Sequence, residues 1–399
     1  MSFFNKEEWK LLWPFYLEAF LGTALLVFPP FMIIYFASIS FSATQIGILL
    51  AAYPLASLLF EIPTGAIADL FGRKPSVMLG WILEGILFIL IPFSTNFYFI
   101  FIIMLLLGAS GTLVSGAYEA LVVDLIQSNK KNLVNSYFSK KRSLYNLAFI
   151  FSGIIGAFLV SIFGLKAIWP VSGISMILSV VFLYFGYENF ERQETSIKQS
   201  IKKIYQQTKI SLSFAYKKQA LYYLLIIGFI VGIVSSFEGL ISWTPIFKSL
   251  NFPDYAFGYL WSATGILGVI APLISTKLLK KGKEKHMLMC ISFLILIINT
   301  FVFFFNSLIL LLIPFFAIYF LIDFENPVSR TYFHKFIPSN LRATIGSVES
   351  MFISLATIIF LPIAGILIDN YGGKFTIFIS GLLMIPIIFF YSRIKEKNN

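Results

Sequence analysis

Apolar runs of about twenty residues alternate with short polar seams along almost the whole chain. A membrane helix needs roughly 20 mostly apolar residues. Twelve segments meet that pattern, near 10–37, 43–69, 75–94, 97–127, 136–163, 167–187, 219–247, 256–279, 286–305, 308–334, 342–368 and 375–392. The seams between them are short, except for the polar stretch 188–218. The pattern predicts an all-α membrane protein with twelve transmembrane helices in two pseudo-symmetric six-helix bundles. The first bundle is expected over 1–187 and the second over 219–399, with 188–218 as a basic linker between them. Within the linker, Ile197, Ile201, Ile204 and Tyr205 share one helical face, flanked by lysines. That fits an amphipathic helix on the membrane surface or a plain solvated linker.

The basic residues test the count. Cytoplasmic loops hold the excess of Lys and Arg. With the N-terminus inside, every Lys and Arg falls on the inner side except Lys166, Lys248 and Lys374, outside, and Arg330, within a helix. Both termini are therefore expected in the cytoplasm. Composition changes the picture in one further respect. The chain is 58% hydrophobic and 12% charged, with a net charge of +11. Soluble domains carry about 25% charged residues, so the solvent is a bilayer and the location a cell membrane. The positive charge then points to anionic inner-leaflet lipids rather than nucleic acid. One cysteine, Cys290, excludes an internal disulfide. His286 and His334 are too few and too far apart for a metal motif. No cleavable signal is evident in MSFFNKEEWK. No phosphate-binding loop is present, which argues against an ATP-driven pump. No catalytic constellation is visible, so an enzyme is not expected, nor a cofactor.

The seam GAIADLFGRK, residues 65–74, carries a pattern of its own. Its G-x-x-x-D-x-x-G-R-K spacing, between the second and third predicted helices, resembles the signature of the major facilitator superfamily. The residues are Gly65, Asp69, Gly72, Arg73 and Lys74. Gly65 would let another helix pack closely. Asp69 ends a helix, where the dipole disfavours an anion, so it needs a basic partner or a helix N-terminus. The resemblance implies that the acid and the arginine belong to a cytoplasmic latch, with Arg73 pairing with an acid at the inner end of the fourth helix. Asp124 is the matching residue. The bland alternative is that Arg73 and Lys74 only obey the positive-inside rule. Leu70 departs from the family pattern, and the corresponding second-half stretch TKLLKKGK lacks the glycine and the acid. The two halves also resemble each other weakly: GAFLVSIFG at 156–164 against GILIDNYGG at 365–373.

Acids inside membrane spans are costly, about 2.5–3.5 kcal/mol on the milder scales, and usually face a cavity or the bundle interior. Glu18, Glu61, Glu84, Glu119, Glu238, Asp323, Glu325 and Glu349 all lie within predicted spans. Helical spacing aligns Glu119 with Gly108, Gly111, Thr112 and Ser115, and Glu238 with Ser235 and Ser242. It also aligns Tyr319, Asp323, Asn326, Arg330 and His334. In the family that the chain resembles, helices 1, 4, 7 and 10 line the central cavity, and these three stripes, with Glu18 aligned to Gly22, Leu25 and Pro29 in helix 1, fall on those four. Glu119 and Asp323 are the leading proton-carrier candidates, with Arg330 and Asn326 beside Asp323, and with Glu18, Glu61 and Glu238 as further members. Each also has a structural alternative: a snorkelling acid, a packed kink at Pro63, or a plain ion pair for Arg330. The helix-5 stretch SGIIGA lacks the proline common in drug–proton antiporters of the superfamily, and helix 4 has no arginine.

These features point to a monomeric secondary transporter that works by alternating access, with proton-coupled efflux of a hydrophobic or amphiphilic small molecule, as in multidrug antiporters. Proton-coupled uptake of a nutrient or organic solute remains open, and so does a non-transporting sensor on the same fold.

Overall fold

The computed structural model describes residues 4–128, 133–188, 213–279 and 282–396. Among the described residues there is no strand. Among the described residues, eleven helices are long and apolar enough to cross a membrane. They are α2 (Ala43–Phe71), α3 (Arg73–Phe93), α4 (Phe97–Ser128), α5 (Val134–Phe163), α6 (Leu165–Tyr184) and α7 (Gln219–Ser249). The others are α8 (Ala256–Leu278), α9 (Glu284–Val302), α10 (Leu308–Lys335), α11 (Thr344–Tyr371) and α12 (Gly373–Arg393). Their outward faces carry large exposed apolar groups, such as Phe158, Ile162 and Phe163 on α5 and Ile309 and Ile313 on α10. Such faces are stable only against lipid.

The first predicted span, 10–37, is not a continuous helix. The segment α1, residues 6–38, runs as Lys6–Leu17, a π-helical turn Glu18–Gly22 and then Met32–Ser38. Pro29 and Pro30 cannot donate backbone hydrogen bonds, so the ladder fails there. Exposed peptide groups are not tolerated inside a membrane, and α6 satisfies them. Ser172 Oγ accepts from the amides of Val27 (3.2 Å) and Phe28 (3.1 Å). Ser175 Oγ donates to the Gly22 carbonyl. Trp169 fills the space beside the break, stacked on Phe28 at 5.5 Å.

Two longer helices also bend. In α4 the backbone leaves the helical region at Ser115 (ψ 143°), and Gly116 takes a positive φ of 67°. In α7 it opens at Gly239 (ψ −179°). The chain forms two compact units. They differ from the sequence halves by two short segments: residues 36–55, including the start of α2, belong with the C-terminal unit, and 253–265, including the start of α8, with the N-terminal one. In the N-terminal unit, Ser262 Oγ of α8 donates to the Ile150 carbonyl of α5 at 2.7 Å. In the C-terminal unit, Leu224, Leu288, Tyr332, Val348 and Ile387 form a core shared by α7, α9, α10, α11 and α12. The expected linker helix and Lys130, Lys131, Lys280 and Lys281 lie outside the described residues.

Candidate functional site

Gly72 ends α2 and opens α3 with φ 104° and ψ 148°, a conformation that side chains resist. The first amides of α3 are then free to bind an anion. Glu188, just beyond α6, supplies it: its Oε1 accepts from Arg73 N (2.7 Å) and Lys74 N (3.1 Å). Lys74 Nζ answers in the other direction, donating to the carbonyls of Tyr184 (2.8 Å) and Gly186 (2.7 Å). Arg73 reaches α4, where its guanidinium pairs with the Asp124 carboxylate. The α2–α3 loop is thus tied to α4 and α6. Asp69 lies beside it, half-buried, in a cleft of about 320 Å³ shared with Glu61, Gly65, Arg73, Thr112 and Ser115. It hydrogen-bonds to no described residue. The close packing expected at Gly65 is absent: no atom of another helix would come within 4 Å of a Cβ there, because the glycine borders this open cleft.

The same construction occurs a second time. Gly365, Asp369, Gly372 and Lys374 stand 300 positions after Gly65, Asp69, Gly72 and Lys74. Gly372 repeats the backbone of Gly72, with φ 85° and ψ 163°. Lys374 Nζ donates to the Phe305 carbonyl (2.5 Å) and to Asn306 Oδ1 (2.7 Å), just past α9. Asp369, unlike Asp69, is engaged. Its carboxylate accepts from Ala43 N and Thr44 N, both at 2.9 Å, and from Thr44 Oγ1 at 2.6 Å. It therefore caps the N-terminus of α2, where a negative charge is favoured by the dipole and the free amides. The helices touch there: a Cβ on Gly365 would lie 2.3 Å from the Ala43 carbonyl oxygen. The sequence reading passed over this second copy and over Glu188. The copy was visible in the constant 300-residue spacing, which also aligns Ala43–Thr44 with the sequence Ala343–Thr344.

The intramembrane acids sort differently from the predicted faces. Glu18 sits in the π-helical turn of α1, where Tyr118 OH donates to its Oε2 at 2.5 Å. Lys141 Nζ lies 4.4 Å from the centre of the Tyr118 ring. Glu119 is exposed and does not line the cleft with Thr112 and Ser115. The turn at Ser115–Gly116 shifts the helical register, so that Tyr118 points inward in its place. Arg330 pairs with Glu349 of α11 at 3.0 Å. Arg330 stands two turns along α10 from Asp323, and the α11 acid is nearer to hand. Asp323 abuts α8, 3.3 Å from where a Gly268 Cβ would stand, and Asn326 is exposed. Glu238 is buried, and Asn299 Nδ2 donates to its Oε2 at 3.0 Å. Before the predicted first span, Glu8 is desolvated, yet hydrogen bonds from Lys140 and Tyr16 outweigh that and hold its carboxyl below the usual range. No cluster of His, Cys, Asp and Glu suited to a metal ion occurs among the described residues.

Residues 13–360 match the Major Facilitator Superfamily family. The chain belongs to that superfamily. It is 24% identical over 393 residues to YxaM, an uncharacterized MFS-type transporter of Bacillus subtilis (strain 168), covering 96% of this chain and 95% of that protein. It is also 24% identical over 395 residues to multidrug resistance protein 2 of the same organism, covering 96% and 93%. A point mutant of the nucleoside transporter NupG, solved by crystallography, shares the fold with a TM-score of 0.77 at 16% identity, over 95% of this chain and 98% of that one. As a superfamily member the chain is a membrane transporter of small solutes and a multi-pass integral protein of the cell membrane. The twin loops, rather than the scattered acids, are the best-organised polar features of this superfamily member.

Proposed function

We propose that the protein is a secondary active transporter that exports a hydrophobic or amphiphilic small molecule by alternating access, coupled to protons. The observation that carries the alternating-access reading is the unequal state of two like loops. Asp369 holds the start of α2 through three hydrogen bonds, while the Asp69 carboxylate borders an open cleft with none to a described residue. On this reading, the odd number of described apolar helices between the loops puts them on opposite sides of the bilayer. One latch closed and its counterpart open is what a carrier open to one side requires. In the opposite state Asp69 takes up the helix-capping role, and Arg73, held by Asp124, keeps the loop in shape for it.

The direction of transport rests on the likeness to multidrug resistance protein 2 along nearly the whole chain. Uptake is the second reading, favoured by the shared fold with a nucleoside transporter. The twelve-span count, the cytoplasmic termini, the bundles at 1–187 and 219–399, the anionic-lipid contact of the linker and the monomeric state belong to the same proposal. Transport into or out of proteoliposomes under an imposed pH gradient tests it. Uphill movement abolished by a protonophore is the expected result. Movement indifferent to the gradient removes proton coupling, and no movement of any amphiphile in either direction removes the export reading.

A further inference from the structure

The C-terminal unit encloses a cavity of about 230 Å³ between α7, α9, α10 and α12. Its walls are mainly aliphatic, with Ile295, Ile318 and Met384 among them, yet two carboxylic acids line it, Glu238 and Glu325, together with Tyr319. Glu238 is the last residue of α7 before the backbone opens at Gly239, and its side chain is 4% exposed. One of its oxygens is fixed by Asn299, whose amide nitrogen also lies 3.0 Å from Ser380 Oγ. The other, Oε1, is buried without a hydrogen-bond partner.

A buried carboxylate oxygen with no donor is costly, and a charge in such a place needs a counter-charge or a proton. No Lys, Arg or His lines the cavity. The nearby bases have other partners: Arg330 pairs with Glu349, Lys335 with Glu284, and Lys285 donates to the carbonyls of Ser392 and Ile394. A donor carried by a ligand would complete this oxygen. Aliphatic walls disfavour a hydrated metal ion, whose water would need polar neighbours. They suit an ammonium group carried on an apolar body, with an N–H directed at the acid.

We infer that this cavity binds a small organic monocation, a primary or secondary ammonium with an alkyl or aryl body, through Glu238 with Glu325 as the second anion. The inference deepens the export reading and rests on it only in taking the bound cation as cargo. Binding is measured apart from transport, so the two fail separately: loss of ammonium binding leaves gradient-driven transport standing, and the reverse.

The test uses the purified full-length chain and thermal unfolding. The probes are 2-phenylethylammonium, its neutral isostere 2-phenylethanol, and sodium ion at matched ionic strength. A ligand of the native state raises the unfolding temperature by mass action. The expected result is a saturable shift with the ammonium, none with the alcohol or sodium, and affinity at least tenfold weaker in E238Q, with a smaller loss in E325Q. The wild-type comparison needs no variant, so a misfolded E238Q leaves the proposal exposed to failure. Equal shifts from ammonium and alcohol mean an apolar pocket only and overturn it. A shift from sodium equal to that from the ammonium overturns the ligand class. Undiminished ammonium binding in both variants, with their unliganded unfolding unchanged, overturns the site.

Discussion

The loops at 65–74 and 365–374 share their glycines, their acid and their lysine. Each uses a positive-φ glycine to begin a helix, and each anchors its lysine on the end of another helix in its own unit. They differ at the acid. Asp369 closes three hydrogen bonds on the start of α2, and Asp69 closes none on any described residue. On the alternating-access reading proposed above, the lysine and glycine positions build the loop in both states, and the acid is the part that changes partner. A charged cap is suited to that task, since it releases a helix N-terminus to water without leaving apolar surface behind.

The comparison breaks most directly at Asp369. Replacing it with Ala removes a charge-assisted helix cap, worth about 1–2 kcal/mol, or roughly a fivefold to thirtyfold shift between conformations. With Cys290→Ser as background and Ser115→Cys in the open cleft as reporter, thiol labelling is expected to slow by that order in Asp369→Ala. Unchanged labelling would remove the cap from the conformational balance.

A somewhat smaller effect is expected at Asp69. Asp69→Asn should lower turnover about tenfold, equivalent to ~1.4 kcal/mol in a barrier. Labelling of the same reporter should hold, because the acid has no partner among the described residues. If Asp69→Asn instead altered labelling and spared turnover, the two acids would have exchanged roles.

Glu188→Gln sharpens the constitutive half of the comparison. It weakens the anionic cap on α3, at a cost of about 1 kcal/mol. A lower unfolding temperature with the ratio of the two conformations preserved is the expected outcome. A shifted ratio would make Glu188 part of the switch. The smallest effect belongs to Glu119→Gln. The residue is exposed, so uphill transport should stay within about a factor of two of the wild type. Collapse of gradient-driven transport in that single variant would restore Glu119 as the proton carrier.

The hydrophobic period made the spans legible, since lipid imposes it on every one of them. The pairing of Arg73 with Asp124 was legible too, from the motif and from the place of Asp124 on the fourth span. What escaped was set by departures from helical regularity. The face assigned to Glu119 presumed an unbroken helix through Ser115–Gly116, where the backbone in fact leaves the helical region. The partner assigned to Arg330 came from its own helix, whereas a long side chain on α10 reaches α11. Glu188 falls after the last turn of α6, where periodicity carries no information. The second loop does not lie at the distance between whole bundles: the match joins the first three-helix repeat of one half to the last of the other, 300 positions on.

During synthesis, Ser172 leaves the ribosome 145 residues after Val27, the residue whose amide it holds. The broken first segment cannot meet the hydrogen-bonding demands of the hydrocarbon interior by itself until then. Its final integration is accordingly a late event, completed when α6 arrives rather than when α1 emerges, and the insertion machinery has to shelter it through the delivery of the four spans between. Loss of the α6 serines would therefore appear first as a defect in membrane biogenesis, with polypeptide made at the normal rate and cleared before it reaches the fold.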